Sequence, residues 1–321
     1  MFIDCHAHLS PAEWQTGGRP WTMFDINNLL AHQEDAGVNA SIFSNPLFGI
    51  PGVLDVTTLD EVRRYNDFAA ELTAKYRGRL YGLASAVPFG GDDYLKETER
   101  AINECGLKGV LVNSSVRGEY LDSPRSIPFY ELVSELGVPV FVHPPAITFG
   151  NEKMREFRLA EMVGRPCDTT LSLARVILSG ILDRFPRLKF VAAHMGGGLS
   201  MMAGRMDYIY ELRKETAYGE WGPDTPSKPP STYFDQIYVD TMGFHTAGAL
   251  CAVATFGVDH VLFGSDFPPV EIPLKNSVKV VDDLPISQPD KEKIAGANAT
   301  RLFGLDSSRE ELGVYSRKRR L

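Results

Sequence analysis

Short runs of β-branched and apolar residues alternate with longer stretches of helical spacing along the whole chain, and this alternation limits the possible folds more than any other feature. Strand-like runs fall at 2–8, 39–45, 80–87, 108–113, 138–143, 188–194, 235–240 and 260–266. Between and after them, helical patterns fall at 25–36, 58–77, 93–105, 127–136, 169–184, 199–214, 246–256 and 289–303, several of them opened by Asp, Ser or Thr. Strand followed by helix, repeated eight times, predicts an α/β fold of the (β/α)8 TIM-barrel type. The 321 residues, 44% of them hydrophobic, suffice for so large a core. No linker-like or low-complexity stretch interrupts the pattern, so residues 1–321 are expected to form one domain.

Chemistry in such barrels collects at the C-terminal ends of the strands, where eight βα loops converge over a filled core. The first strand-like run ends in His6-Ala7-His8. Residues i and i+2 of a strand project to one face, so His6 and His8 aim together while Cys5 and Ala7 aim to the other. His143 ends the fifth run, His194 the sixth and Asp266 the eighth, which puts all five groups on the same rim. Taken singly, His143 suits a turn, His194 a loop hydrogen bond and Asp266 a cap. Taken together, five metal-competent or titratable groups at one mouth point to a metal-assisted active site. His32 lies in a helical pattern, His245 opens the seventh helix and His260 precedes a strand, so these three are expected to be structural or surface residues.

Composition removes several other functions. A net charge of -8 and a pI near 5.5 argue against binding nucleic acid or an anionic membrane. The one basic cluster, Arg317-Lys318-Arg319-Arg320, is expected to be a solvated tail. Cys5, Cys105, Cys167 and Cys251 stand far apart, without the spacing of a zinc ribbon or a redox pair, which suggests a reducing compartment. No apolar run reaches the roughly 18 residues of a membrane span, and no leader pattern is seen, so a soluble, cytoplasmic protein is expected.

Longer motifs carry a resemblance. The chain contains Val142-His143-Pro144, Met162-Val163-Gly164-Arg165-Pro166, Phe185-Pro186-Arg187-Leu188-Lys189, Ala193-His194-Met195-Gly196-Gly197-Gly198, Gly204-Arg205 and Gly264-Ser265-Asp266-Phe267-Pro268. With the His6-x-His8 start, these resemble the amidohydrolase superfamily, in the branch typified by α-amino-β-carboxymuconate-ε-semialdehyde decarboxylase, over most of the chain. The resemblance implies that His6, His8, His143 and Asp266 ligate a single divalent metal, zinc first and manganese as the alternative. It places His194 beside the metal as an acid/base and has Asp266 orient the metal's water. Three imidazoles and a carboxylate leave a position for that water, and a nearby imidazole can take and return its proton. Many hydrolases of the superfamily carry a metal-bridging carboxylated lysine at the end of the fourth strand. Here that strand ends Val110-Leu111-Val112-Asn113, and Lys108 stands at its other end, so one metal is expected.

The same resemblance implies a small aromatic or muconate-like carboxylic acid as substrate, held by arginines. Arg205 corresponds to an arginine that reaches a neighbouring subunit's site, which implies a homodimer or higher homo-oligomer. Arg19, in Gly17-Gly18-Arg19-Pro20, corresponds to a second carboxylate-binding arginine. Pro144-Pro145 replaces the family's Pro-Trp, and Asn113-Ser114-Ser115 places small polar groups at the fourth strand's end, leaving Trp14, Trp21, Phe48 and Phe267 to line the pocket. The expected reaction is nonoxidative decarboxylation, with His194 relaying a proton to the carbon that bears the carboxylate. The same metal serves hydrolysis of a small cyclic amide or ester equally well, and hydration or noncatalytic acid binding are further readings. Related hydratases tend to carry Glu where Asp266 stands, which tilts against hydration. The 215–233 stretch, with Trp221 and four prolines, suits a mouth or an interface.

Overall fold

The computed structural model describes residues 1–14, 22–45, 58–214, 221, 224–269 and 272–305. Its barrel strands are β1 (Phe2–His8), β2 (Val38–Ser44), β3 (Leu80–Gly82, resuming at Ala84–Ser85), β4 (Val110–Asn113), β5 (Val140–His143), β6 (Phe190–Ala192), β7 (Ile237–Asp240) and β8 (Val261–Leu262). Each pairs in parallel with the next in sequence. The break in β3 hands it from one neighbour to the other: Leu83 N donates to Phe43 O of β2, and Ala84 N to Gly109 O just before β4. The ring closes between its first and last strands, where Cys5 N donates to Phe263 O at 2.8 Å, Asp266 N to His6 O at 2.7 Å and His8 N to Phe267 O at 2.9 Å. This is the expected (β/α)8 barrel, with strands somewhat shorter than the sequence runs suggest.

The longer helices among the described residues clothe it: α1 (Ile26–Ala36), α2 (Leu59–Lys75), α3 (Asp92–Asn103), α4 (Ile127–Leu136), α5 (Arg165–Leu178), α6 (Leu199–Glu211), α7 (Thr246–Phe256) and α8 (Leu274–Asp282). Local chemistry fixes several ends. Thr58 and Glu61 form a reciprocal capping box that opens α2, and Gly37 and Gly137 close α1 and α4 in the left-handed conformation. Two expectations shift. The fifth helix begins at Arg165, with Pro166 in its first turn, and stops at Leu178; Gly180, at φ +73°, then starts a separate turn at Ile181–Arg184. The eighth, α8, was not foreseen, because Val278-Lys279-Val280-Val281 is rich in β-branched residues and its helical face shows only as the buried set Leu274, Ser277, Val280 and Val281. The predicted 289–303 helix is three short pieces, Gln288–Glu292, Lys293–Ala297 and Asn298–Leu302.

Two buried layers result. Sheet residues such as Phe43, Val112, Phe190 and Val239 pack outward on Leu29, Tyr65, Tyr130 and Leu173 of the helices. Ile3, Ile42, Leu83, Leu111, Phe141, Val191, Tyr238 and Leu262, one from each strand, fill the interior, with Ala299, Phe303 and Leu305 of the last segment packed among them. Strand β1 departs from plain alternation. Its register slips between Asp4 and Ala7, so Cys5 joins Ile3 in the interior cluster while Ala7 packs in the helix-facing layer. Among the described residues no helix is long and apolar enough to cross a membrane.

Phe141 is 1% exposed in the interior and meets the His6 ring edge-on, 5.2 Å between centroids. Phe141→Ala is expected to cost about 3–5 kcal/mol of unfolding free energy in a urea titration. A loss under about 1 kcal/mol would mean that the interior collapses around the change.

Candidate metal centre

The ring closure brings the ends of β1, β5 and β8 to one point. His6, His8 and His143 are each 1% exposed, and their ligand atoms and a carboxylate oxygen of Asp266 all lie within 4.8 Å of one another. His6 Nε2 is 3.1 Å from His8 Nε2, and Asp266 Oδ1 lies 2.9 Å from His8 Nε2 and 3.5 Å from His6 Nε2. Ligands about 2.0–2.2 Å from a shared ion stand roughly 3–4 Å apart, so these separations suit a cation.

The hydrogen bonds behind the rings agree. His8 Nδ1 donates to Ser44 O at 3.2 Å and His143 Nδ1 to Pro144 O at 3.0 Å, since a carbonyl can only accept. His6 Nδ1 lies 2.6 Å from Asp240 Oδ2. In all three rings Nδ1 faces an acceptor, which turns the Nε2 lone pairs inward on one another and on a carboxylate. That convergence is repulsive unless protons or a metal ion sit among them, and three imidazoles with one carboxylate form a donor set for a divalent metal.

His194 completes the rim from the turn after β6. Its Nε2 lies 3.4 Å from Asp266 Oδ2, the oxygen pointing away from His8, so Asp266 faces the three-histidine cluster with one oxygen and His194 with the other. The chain reaches this geometry through unusual backbone: His194, Met195 and Asp266 have φ of +57°, +56° and +59°. Left-handed conformations are uncommon for such residues and concentrate at functional sites. Gly197, at φ +63°, lets the His194 turn press onto α5, because a Cβ there would lie 2.2 Å from Pro166 O.

Electrostatics follow from burial and like charge. Burial, reinforced by the neighbouring His8, His6 and His194, holds His143 well below the ordinary histidine range. Burial also lowers His8, against the pull of Asp266. For Asp266 burial acts the other way, but His6 together with hydrogen bonds to His194 and His8 wins and holds the carboxyl well below its usual range.

The five rim residues foreseen from the strand ends therefore come together. Arg205 does not join them within this chain; it is exposed on α6. Arg19, Trp21, Phe48 and the basic 317–320 cluster lie outside the described residues, as do positions 215–220 and 222–223 of the 215–233 stretch. Lys108 precedes β4, its N–H donating to Gly82 O, far from the strand's C-terminal end. The aromatic wall is not as expected: Phe267 is buried against His32, and Trp14 packs on Tyr65. Two residues were overlooked. Asp240 ends β7, as the run Ile237-Tyr238-Val239-Asp240 would have revealed by the rule applied to the other strands. Arg165, half-buried in the first turn of α5 beside the His194 turn, feels the charge of Asp266.

A family model described as "Amidohydrolase" matches residues 3–305. The 2-amino-3-carboxymuconate-6-semialdehyde decarboxylase of Dictyostelium discoideum is 29% identical over 254 residues, 78% of this chain and 68% of that protein. A gamma-resorcylate decarboxylase of Rhodococcus jostii is 31% identical over 270 residues, 77% of this chain and 78% of that one. Among solved structures, the dihydroxybenzoic acid decarboxylase of Polaromonas sp. JS666, with bound manganese and the inhibitor 2-nitroresorcinol, superposes with a TM-score of 0.78 at 25% identity, covering 94% of this chain and 96% of that one.

Asp4 ties the two closing strands together beneath the centre, accepting from Ser265 Oγ at 2.5 Å, Ser265 N at 3.1 Å and His6 N at 3.0 Å. Complete burial outweighs these donors and raises its carboxyl from 3.8 to about 7. Between those values the folded chain holds a proton that the unfolded chain has released, so this contribution to stability is lost as pH rises. Against Asp4→Asn, which cannot titrate, the wild-type protein without metal should lose relative stability from pH 4 to about 7 and then level off. Parallel stability curves for the two proteins across that window would refute the assignment.

Proposed function

The chain belongs to the amidohydrolase family, and from that premise we propose that it is a metal-dependent nonoxidative decarboxylase of a small aromatic or muconate-like carboxylic acid. One observation carries the reading: a histidine outside the ligand set, His194, faces a carboxylate that also faces the three clustered imidazoles. Relatives named as decarboxylases of carboxymuconate semialdehyde and resorcylate support it, as does a manganese-holding structural neighbour named for dihydroxybenzoic acid.

His6, His8, His143 and Asp266 would hold one divalent metal. Bound there, the ion would supply Lewis-acid charge to an anionic substrate. We assign Zn²⁺ first, on three imidazoles, with Mn²⁺ the alternative that the Polaromonas structure supports. His194 then does the proton work. Its ring delivers a proton to the carbon that bears the carboxylate; that carbon becomes tetrahedral, the bond to the carboxylate breaks, its electron pair restores the π-system and CO₂ leaves. Asp266 Oδ2, 3.4 Å from His194 Nε2, orients the ring for this transfer. Arg165 is the cation of the same chain placed to hold the substrate carboxylate.

We further assign a homodimer in which α6 meets its counterpart. Arg205 stands on this helix among the exposed Met201, Met202, Tyr208 and Ile209, an apolar surface that a second copy would cover. In that arrangement Arg205 serves the neighbour's mouth, as Arg19 does its own, and the dimer holds two complete sites.

Incubation with 2,6-dihydroxybenzoate and carboxymuconate-type acids should release CO₂ without consuming water, and His194→Ala should keep its metal while kcat falls about 10²- to 10⁴-fold. Ring opening or amine release with the carboxyl retained would instead establish a hydrolase. Arg165→Ala should raise KM in every subunit. Arg205→Ala and His194→Ala, inactive separately, should regain roughly a quarter of wild-type activity when their subunits are mixed, because each mixed dimer rebuilds one site. No recovery on subunit exchange would remove Arg205 from the neighbour's site.

A further inference from the structure

We propose that Asp240 is a positioning residue whose single carboxylate sets both the tautomer of His6 and the backbone on which His194 stands. The proposal rests on the metal reading of the cluster and not on the identity of the substrate. Asp240 is wholly buried at the end of β7 and receives four groups. Oδ2 lies 2.6 Å from His6 Nδ1 and 3.1 Å from His194 N; Oδ1 lies 2.8 Å from Met195 N and 3.1 Å from Met242 N.

Donor arithmetic gives these contacts a direction. The three backbone groups can only donate, and a carboxylate only accepts. His6 Nδ1 meets the same oxygen at a short charge-assisted distance, so it too carries its hydrogen toward Asp240. The remaining nitrogen, Nε2, is left with a lone pair facing His8 and Asp266. That is the tautomer a metal ligand needs, enforced from behind the ring.

The same oxygens hold the His194 turn. His194 and Met195 both adopt the left-handed conformation, which is costly for residues with a Cβ, and both of their N–H groups end on Asp240. Gly264 explains how the carboxylate comes so close. A Cβ at that position would lie 2.8 Å from Asp240 Cβ, closer than real contacts allow, and 3.0 Å from His6 Cβ, tighter than most. A bare backbone at residue 264 is thus a condition for the His6–Asp240 contact.

Asp240→Asn tests the pair of roles almost without change of size. Its one oxygen can serve Met195 and Met242, which turns the amide NH₂ toward His6 Nδ1 and His194 N. The NH₂ then donates to Nδ1, the His6 hydrogen moves to Nε2, and the His194 N–H loses its acceptor. In competition with a chelator, the variant's affinity for Zn²⁺ or Mn²⁺ should fall about 10- to 100-fold. ¹⁵N spectra of the metal-free protein should show His6 as the Nδ1–H tautomer in the wild type and as Nε2–H in the variant. The His194 and Met195 amides should exchange with deuterium faster in the variant, while a merely structural residue would lower the melting temperature and leave the His6 tautomer and the metal affinity per folded molecule unchanged.

Metal affinity within about twofold of wild type in folded Asp240→Asn would overturn the proposal. If the variant does not fold, the wild-type spectrum alone decides: Nε2–H at His6 overturns it and Nδ1–H upholds it. Gly264→Ala, which presses on both side chains, should weaken metal binding in the same direction. A wild-type protein that binds neither metal would overturn the metal reading itself, an outcome distinct from a wild type and an Asp240→Asn that bind equally well.

Discussion

The site depends on the seam where the barrel closes. Asp4 and Ser265 lie 261 positions apart in sequence, yet the Ser265 hydroxyl and N–H both end on the Asp4 carboxylate, and Asp266 N donates to His6 O one step above. Without that seam Asp266 has no histidines to face. Parallel strands cannot be joined by tight turns, so the chain runs through all eight βα units between the first and last edges that meet here. The metal-competent cluster is therefore a product of long-range closure rather than of any local motif, and its geometry inherits the rigidity of a closed sheet.

Burying so many polar groups at one point is unfavourable unless each has a partner. The chain meets this demand with two carboxylates of different character. Asp266 faces the histidines, and His6 together with hydrogen bonds to His194 and His8 holds its carboxyl well below the usual range. Asp240 faces the backbone behind them and accepts four groups. A third buried acid, Asp168, does the same for the opposite wall, binding Ser114, Ser115, Tyr120 and the Phe149 N–H. Small residues complete the arrangement: Gly197 and Gly264 permit backbone approaches that any Cβ would block. The motif Ala193-His194-Met195-Gly196-Gly197-Gly198 is thus a device for turning the chain sharply after β6 while keeping the imidazole over Asp266.

How much of this was legible in the sequence depended on whether a residue announces itself through periodicity. The barrel did, because eight alternations of strand and helix leave few other topologies. So did His143, His194 and Asp266, which end apolar runs in a chain with few histidines. The helix at Leu274–Asp282 did not, since its β-branched valines mimic a strand and its amphipathic face appears only when neighbouring helices bury it. Cys5 was assigned the wrong face because a register slip in β1 is invisible to strict alternation. Asp240 is illegible for a different reason: a carboxylate that acts through a histidine carries no metal-ligand signature in the sequence. Arg165 belongs to the Met162-Val163-Gly164-Arg165-Pro166 motif, but only the packing of α5 against the His194 turn brings its charge to bear on Asp266.

The metal cluster cannot by itself choose a reaction, because a cation among three imidazoles activates water and polarises carboxylates alike. Selection must come from what surrounds it. Hydrolysis asks for a nucleophile delivered to a carbonyl and for release of a leaving group, tasks that a bridging lysine and a second metal ease. The end of β4 instead offers Asn113, Ser114 and Ser115, with Lys108 on the other side of the barrel. Decarboxylation asks for an anion held still while one carbon is protonated. A half-buried arginine that interacts electrostatically with Asp266, and a histidine on that carboxylate's outer oxygen, are the groups of this chain that suit those two tasks. The choice of chemistry thus turns less on the ligands than on which charges the βα loops lay against them, and under the proposed function those charges are Arg165 for the acid and His194 for the proton.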